Sequence, residues 1–230
     1  MKQPTIAQRN SFTVLSLGFV LAALLFITAI IGFWYIADTM IYEQKGRLDQ
    51  AMIRYMHGLE TPGRTRLALF ITFFGSVYFQ LPFYLLLIGY FLYKRRHYRA
   101  LEVSTIAGIS LLLGMVLKGI FRRQRPLLEH WDTVTGYSFP SGHSLAAFTL
   151  CGMLVYLLWL SNYPVVTKWL VTVALVVAAC AIGLSRIYLH VHYASDVLGG
   201  LLLTVAWLTV SLSFFRFLEK RRNNRMVEKG

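Results

Sequence analysis

Residues 137–160 read YSFPSGHSLAAFTLCGMLVYLLWL, and this stretch decides what kind of protein the chain forms. From Leu145 to Leu160 it holds no charged residue, and with His143 and Ser144 it approaches the ~20 residues a helix needs to cross a bilayer. Its first part sets Pro140, Ser141, Gly142 and His143 at the mouth of that helix. Five more apolar segments of similar length lie around it, at residues 12–37, 67–93, 101–117, 168–185 and 194–215. Hydrophobic residues make up 57% of the 230 and charged ones only 14%, against an apolar share of ~45–50% in soluble domains. The expected fold is all-α: a polytopic membrane protein of six transmembrane helices forming one domain over residues 1–230.

The first segment follows Lys2 and Arg9 as a signal peptide would, but its apolar core exceeds the ~7–15 residues of such a peptide and no small-residue cleavage site follows. It is expected to be an uncleaved span. Cys151 and Cys180 fall inside apolar runs and read as small core residues. Residues 38–66 are longer than a turn. Apolar residues at helical spacing in LDQAMIRYMHGL predict an interfacial helical segment, broken by Pro62 and Gly63. Trp34, Trp159 and Trp169 near span ends are expected to be interface anchors, and Ser195, Gly199 and Gly200 to allow close helix packing.

A net charge of +13 fits nucleic-acid binding poorly, because the basic residues sit in the joints between apolar runs rather than on one folded face. In those joints they orient helices. With both termini in the cytoplasm, the inner joints carry two, four, one and six Lys or Arg, 13 of the 23. Setting aside Lys118, Arg125 and Arg186, assigned below to an anionic ligand, leaves seven outside. Cytoplasmic termini are therefore expected. The tail KRRNNRMVEKG reads as a solvated flank, with a lipid-binding patch as the alternative.

Under this topology three polar groups share one end of the spans. Lys118 and Arg125 follow the third span, Ser141, Gly142 and His143 open the fourth, and Arg186, His192 and Asp196 join the fifth to the sixth. Lys and Arg neutralise a tetrahedral oxyanion, and an arginine fork bonds two of its oxygens. Ser141 and Gly142 stand at a helix start, where unpaired N–H groups favour an anion. His192 and Asp196, four apart, share a helix face if the sixth helix has begun. A carboxylate there holds the imidazole tautomer and leaves the other nitrogen free to attack. His143 can protonate a departing oxygen. Gathering such groups near a membrane without an anion is expensive.

As a set, KGIFRRQRP, PSGH and SRIYLHVHYASD, at residues 118–126, 140–143 and 185–196, resemble the three motifs of the type-2 phosphatidic acid phosphatase superfamily, which also includes vanadium haloperoxidases and bacterial class A acid phosphatases. The resemblance implies that His192 is the nucleophile forming a phosphohistidine, that Asp196 orients it, and that His143 protonates the leaving group and then activates water. It implies that Lys118, Arg125, Ser141, Gly142 and Arg186 hold the phosphoryl oxygens. No metal and no cofactor are implied; the motifs supply cations where a metallophosphatase needs several carboxylates.

His190 competes with His192, but the spacings to Arg186 and Asp196 select His192. His57, His97 and His130 are expected to be solvated, and Arg122 and Arg123 to contact headgroups, with help to a second phosphate as the alternative. Glu129, Trp131 and Asp132 are candidates for shaping the substrate entrance; Tyr137 and Phe139 read equally well as packing. The expected activity is hydrolysis of a lipid phosphate or diphosphate in a bacterial inner membrane, with the site facing the periplasm or cell exterior. Polyprenyl (undecaprenyl) diphosphate is the favoured substrate. Phosphatidylglycerophosphate, phosphatidic acid and lipid A phosphate are alternatives, and a lipid phosphotransferase or a non-enzymatic transporter represents another class.

Overall fold

The computed structural model describes residues 6–42, 46–127 and 135–227, and these contain helices and no strand. Helix α1 spans Ile6–Ile36 and runs into a π-helical segment, Ala37–Tyr42. There follow α2 (Arg47–His57), α3 (Pro62–Phe73), α4 (Val77–Tyr93), α5 (His97–Phe121), α6 (Gly142–Trp159), α7 (Val165–Tyr188) and α8 (Ala194–Val227). Among the described residues six stretches are long and apolar enough to cross a membrane, with α3 and α4 together forming the second. Lys2, Glu129, His130, Trp131 and Asp132 lie outside the described residues.

The helix boundaries follow from local chemistry. Thr61 caps α3, its side chain accepting from the Arg64 N–H, and Pro62 follows where its missing N–H costs nothing. Ser141 caps α6 in the same way, accepting from the Ser144 N–H at 3.4 Å. Arg122 closes α5 in a left-handed conformation, φ 47°, and returns its N–H to the Lys118 carbonyl.

Helix α6 is the hub. It packs on α5, α7 and α8, while α1 lies along α8, α3 along α7 and α4 along α5. Small residues permit the closest approaches. A Cβ on Gly200 would stand 3.2 Å from both the Leu145 nitrogen and the Ser141 carbonyl of α6 and its cap, and one on Gly199 would stand 2.5 Å from the Phe139 ring. Hydroxyls then bridge the helices: Ser110 of α5 lies 2.9 Å from Thr149 of α6, which lies 3.4 Å from Thr204 of α8. At the end opposite the polar motifs, Arg99 binds Glu102 at 2.6 Å and Glu219 at 2.9 Å, tying α5 to α8. Exposed Leu, Val, Phe and Trp side chains cover the outer faces of the spans, as a hydrocarbon solvent permits.

Several expectations need correction. The second span begins at Pro62 rather than residue 67 and is broken at 74–76, where a Cβ on Gly75 would lie 2.6 Å from Ile182 and 3.2 Å from His143. Close packing of these helices excludes any side chain there. Cys180 is exposed on α7 and is not a core residue, whereas Cys151 is half-buried and packs against the core cluster of Ala147, Ala179 and Ile182. The basic tail continues α8 to Val227 with Lys220, Arg221 and Arg222 exposed, in keeping with a solvated flank, and the Arg222 guanidinium lies 4.8 Å over the Tyr98 ring.

Candidate active site

At the end of the bundle where α5 finishes and α6 and α8 begin, a cavity of about 570 Å³ opens. Lys118, Arg125, Gly142, His143, Arg186 and His192 line it, together with Met115, Gly119 and residues 135–137. Six of the eight residues nominated by sequence are thus brought to one space, from three separate stretches of chain. The other two stand behind its wall. Asp196 is fully buried beneath His192, and the Ser141 hydroxyl is buried against Ser144, whose hydroxyl donates to it at 2.9 Å.

Each cation is held before any ligand arrives. The Lys118 ammonium donates to the Tyr137 carbonyl at 2.7 Å. Arg125 donates through Nε to the Gly136 carbonyl at 3.0 Å and through Nη1 to the Val191 carbonyl at 2.6 Å. Arg186, with no exposed surface, donates to the Thr72 hydroxyl at 2.7 Å from the last turn of α7. These contacts fix three positive charges around one cavity, which is the electrostatic requirement for a phosphoryl group.

His192 is oriented from both sides. Its Nδ1 lies 3.2 Å from Asp196 Oδ2, and its Nε2 lies 3.4 Å from Arg125 Nη1 at the cavity wall. Asp196 also accepts from the Tyr193 N–H at 2.9 Å and from Arg123 at 2.7 Å. An ionised carboxylate only accepts, so Nδ1 carries the proton and Nε2 presents its lone pair to the cavity. Burial pushes the His192 imidazole down to about 4, although Asp196 pulls the other way. The ring is therefore neutral at physiological pH, the form an attacking imidazole needs.

A further set of residues behind the cavity wall lies outside the three motifs or beside their named positions. Asp49, on the buried face of α2, pairs with Arg123 at 2.6 Å and accepts from the Ser195 N–H at 2.8 Å and the Ser195 hydroxyl at 2.5 Å. Arg123 in turn pairs with Asp196 and lies 4.0 Å from the Tyr193 ring centre. Arg123 is thus a clamp inside the protein and not a headgroup contact, because two buried carboxylates lie within its reach. They hold its guanidinium above the usual range despite burial, which acts in the opposite sense. Ser195 serves this network rather than simple helix packing. The available signal was an acid on the apolar side of α2, in register with Met52 and Met56. Arg122 is exposed, as expected, and Phe139 is packing, enclosed by Phe33 and Phe121.

His190 does not line the cavity. Its Nε2 lies 3.2 Å from Glu60, and its backbone adopts a left-handed φ of 57°. His57 and His97 are exposed.

The sequence pattern of the PAP2 superfamily matches residues 99–220. A phosphatidylglycerophosphatase B of Bacillus subtilis is 31% identical over 154 residues, which cover 66% of this chain and 75% of that one. An undecaprenyl-diphosphatase of Sulfolobus acidocaldarius is 30% identical over 151 residues, covering 62% and 66% respectively. Among solved structures, a transmembrane PAP2-type phosphatidylglycerolphosphate phosphatase from Bacillus subtilis superposes with a TM-score of 0.76 at 26% identity, covering 82% of this chain and 94% of that one.

Proposed function

Because the chain belongs to the PAP2 superfamily and is a multi-pass membrane phosphate-ester hydrolase, we propose that it cleaves a lipid diphosphate through a phosphohistidine on His192. The observation that carries this reading is the single cavity that joins three restrained cations to a neutral, carboxylate-oriented imidazole. In the first step His192 Nε2 bonds to phosphorus as the bond to the leaving oxygen breaks, and His143 delivers a proton to that oxygen. In the second, His143 takes a proton from water, whose oxygen displaces His192 and releases phosphate. Lys118, Arg125 and Arg186 hold the phosphoryl oxygens throughout, with the Gly142 N–H at the start of α6. Asp196 is a positioning residue, and Ser141 acts by shaping the turn that carries Gly142.

The lipid character of the substrate draws support from a second, apolar cavity of about 470 Å³ between α4, α5 and α6, which shares Lys118, Gly142, His143 and Met115 with the first. A headgroup bound among the cations thus has an apolar path for its tail. The known relatives act on phosphatidylglycerophosphate and on undecaprenyl diphosphate by name. We favour the polyprenyl diphosphate, with the exposed Arg122 beside the site as the candidate partner of its second phosphate, Arg123 being engaged by Asp49 and Asp196. The positive-inside count supports an outward-facing site and cytoplasmic termini.

The test is phosphate release by the purified protein in detergent across a panel of lipid phosphates, with chelator present. Polyprenyl diphosphate is expected to be turned over fastest. His192→Ala is expected to lose at least ~10³-fold in kcat; ordinary turnover by that variant would refute the mechanism. Release that requires a second lipid as acceptor would instead identify a phosphotransferase. A cysteine placed in residues 94–99 is expected to be shielded from impermeant reagents in intact cells, and labelling there would reverse the orientation.

A further inference from the structure

We propose that His57, Glu60 and His190 form a binding site for a transition-metal dication of the zinc class, separate from the catalytic cavity. His57 ends α2, Glu60 lies in the joint to α3, and His190 comes from the turn between α7 and α8. Glu60 Oε1 lies 2.8 Å from His57 Nδ1 and 3.2 Å from His190 Nε2, and one donor atom from each residue falls within 4.8 Å of the others. Ligand atoms bound to one tetrahedral ion at about 2.0–2.2 Å stand roughly 3.3 Å apart. Small movements of the exposed His57 and the partly buried Glu60 towards His190 therefore suffice. Two imidazoles and one carboxylate are a donor set that zinc accepts, with a fourth position left for water.

The surroundings hold the donors in place. The Glu60 N–H returns to the His57 carbonyl at 3.2 Å, and the His190 N–H to the Ile187 carbonyl at 3.0 Å. Tyr188 fastens the same two segments, its hydroxyl lying 3.3 Å from the Thr61 nitrogen and 3.2 Å from the Thr65 hydroxyl. His190 is buried with 1% exposure in its left-handed turn, whereas the His57 side chain is 63% exposed, so an ion has a route in from solvent. None of the three residues lines the cavity of Lys118 and His192. An ion here staples the α2–α3 joint to the turn that carries His192 two residues further on. Its role is thus to hold that turn, with no part in cleaving the phosphate.

The experiment titrates full-length, tag-free protein in detergent with Zn²⁺ against a chromogenic chelator, and with Co²⁺ as a spectroscopic probe. Wild type is expected to bind one equivalent, to show Co²⁺ visible absorption, and to gain thermal stability with Zn²⁺. His57→Ala, whose side chain is exposed, and Glu60→Gln are each expected to weaken binding at least tenfold and to remove the Zn²⁺-dependent rise in Tm. His190→Asn keeps a residue that tolerates the left-handed turn and is expected to do the same. Absence of saturable binding to wild type, or binding unchanged in His57→Ala and Glu60→Gln, would overturn the site. Neither result bears on phosphate release, which is measured separately.

Discussion

His192 is a buried imidazole whose charge is set by its surroundings. Burial lowers it from an ordinary value of 6.5 to about 4, so the neutral form of this proposed nucleophile persists as pH falls and is lost only near that lower value. The acid limb of kcat/KM, corrected for ionisation of the substrate phosphate, is expected well below 6.5; a limb at 6.5 would show that His192 is solvated or is not the nucleophile. Asp49 acts one layer further out. Its removal leaves Arg123 with Asp196 as its paired carboxylate, beside the Ser195 hydroxyl, and a hydrogen bond to a charged group contributes about 2 kcal/mol. Asp49→Asn is expected to lower stability by about that amount and kcat roughly tenfold, with KM little changed. Asp49→Glu should recover part of both. A loss of stability with an unaltered kcat would make Asp49 purely structural. The residue types were legible in the motifs. Arg123 was not, because one-dimensional spacing cannot tell which of three neighbouring arginines meets a carboxylate 74 positions away.

At the level of elements, the catalytic geometry depends on how closely α8 approaches the first turn of α6. A Cβ added at Gly200 would stand 3.2 Å from backbone atoms of Ser141 and Leu145, which cannot rotate away. Gly200→Ala is expected to cost about 1–3 kcal/mol, as overpacking does, and to displace Gly142 and His143 relative to His192. Thermal unfolding in detergent and turnover should fall together; normal values of both would show that the two helices part freely. The spans themselves were readable from hydropathy, since lipid selects for long apolar runs whatever they pack against. The break at 74–76 was hidden within one such run. It answers to the bulk of Ile182 and His143 on neighbouring helices, a constraint that leaves no trace in average hydropathy.

Across the whole molecule, the two ends of the bundle have different duties. The site end collects cations around a cavity, while the opposite end is tied by Arg99, Glu102 and Glu219, with the Tyr156 hydroxyl 3.1 Å from the same guanidinium. Glu102 is 1% exposed. Breaking a buried pair by neutralising one partner costs about 3–5 kcal/mol, and Glu102→Gln is expected to reduce stability by up to that amount. Its turnover at a temperature where it remains folded should match wild type, because the change lies at the far end of α5. A selective loss of turnover would mean that the ends are coupled. Membrane insertion, the number of spans and the alternation of their ends follow from composition alone, because each segment separately must satisfy its backbone and exclude water. The return of α2 onto the site, the enclosure of Arg123 between Asp49 and Asp196, and the meeting of His57 and Glu60 with His190 arise only when distant segments close on one another. Such contacts are neither periodic nor additive along the chain, and their energies exist only in the folded bundle.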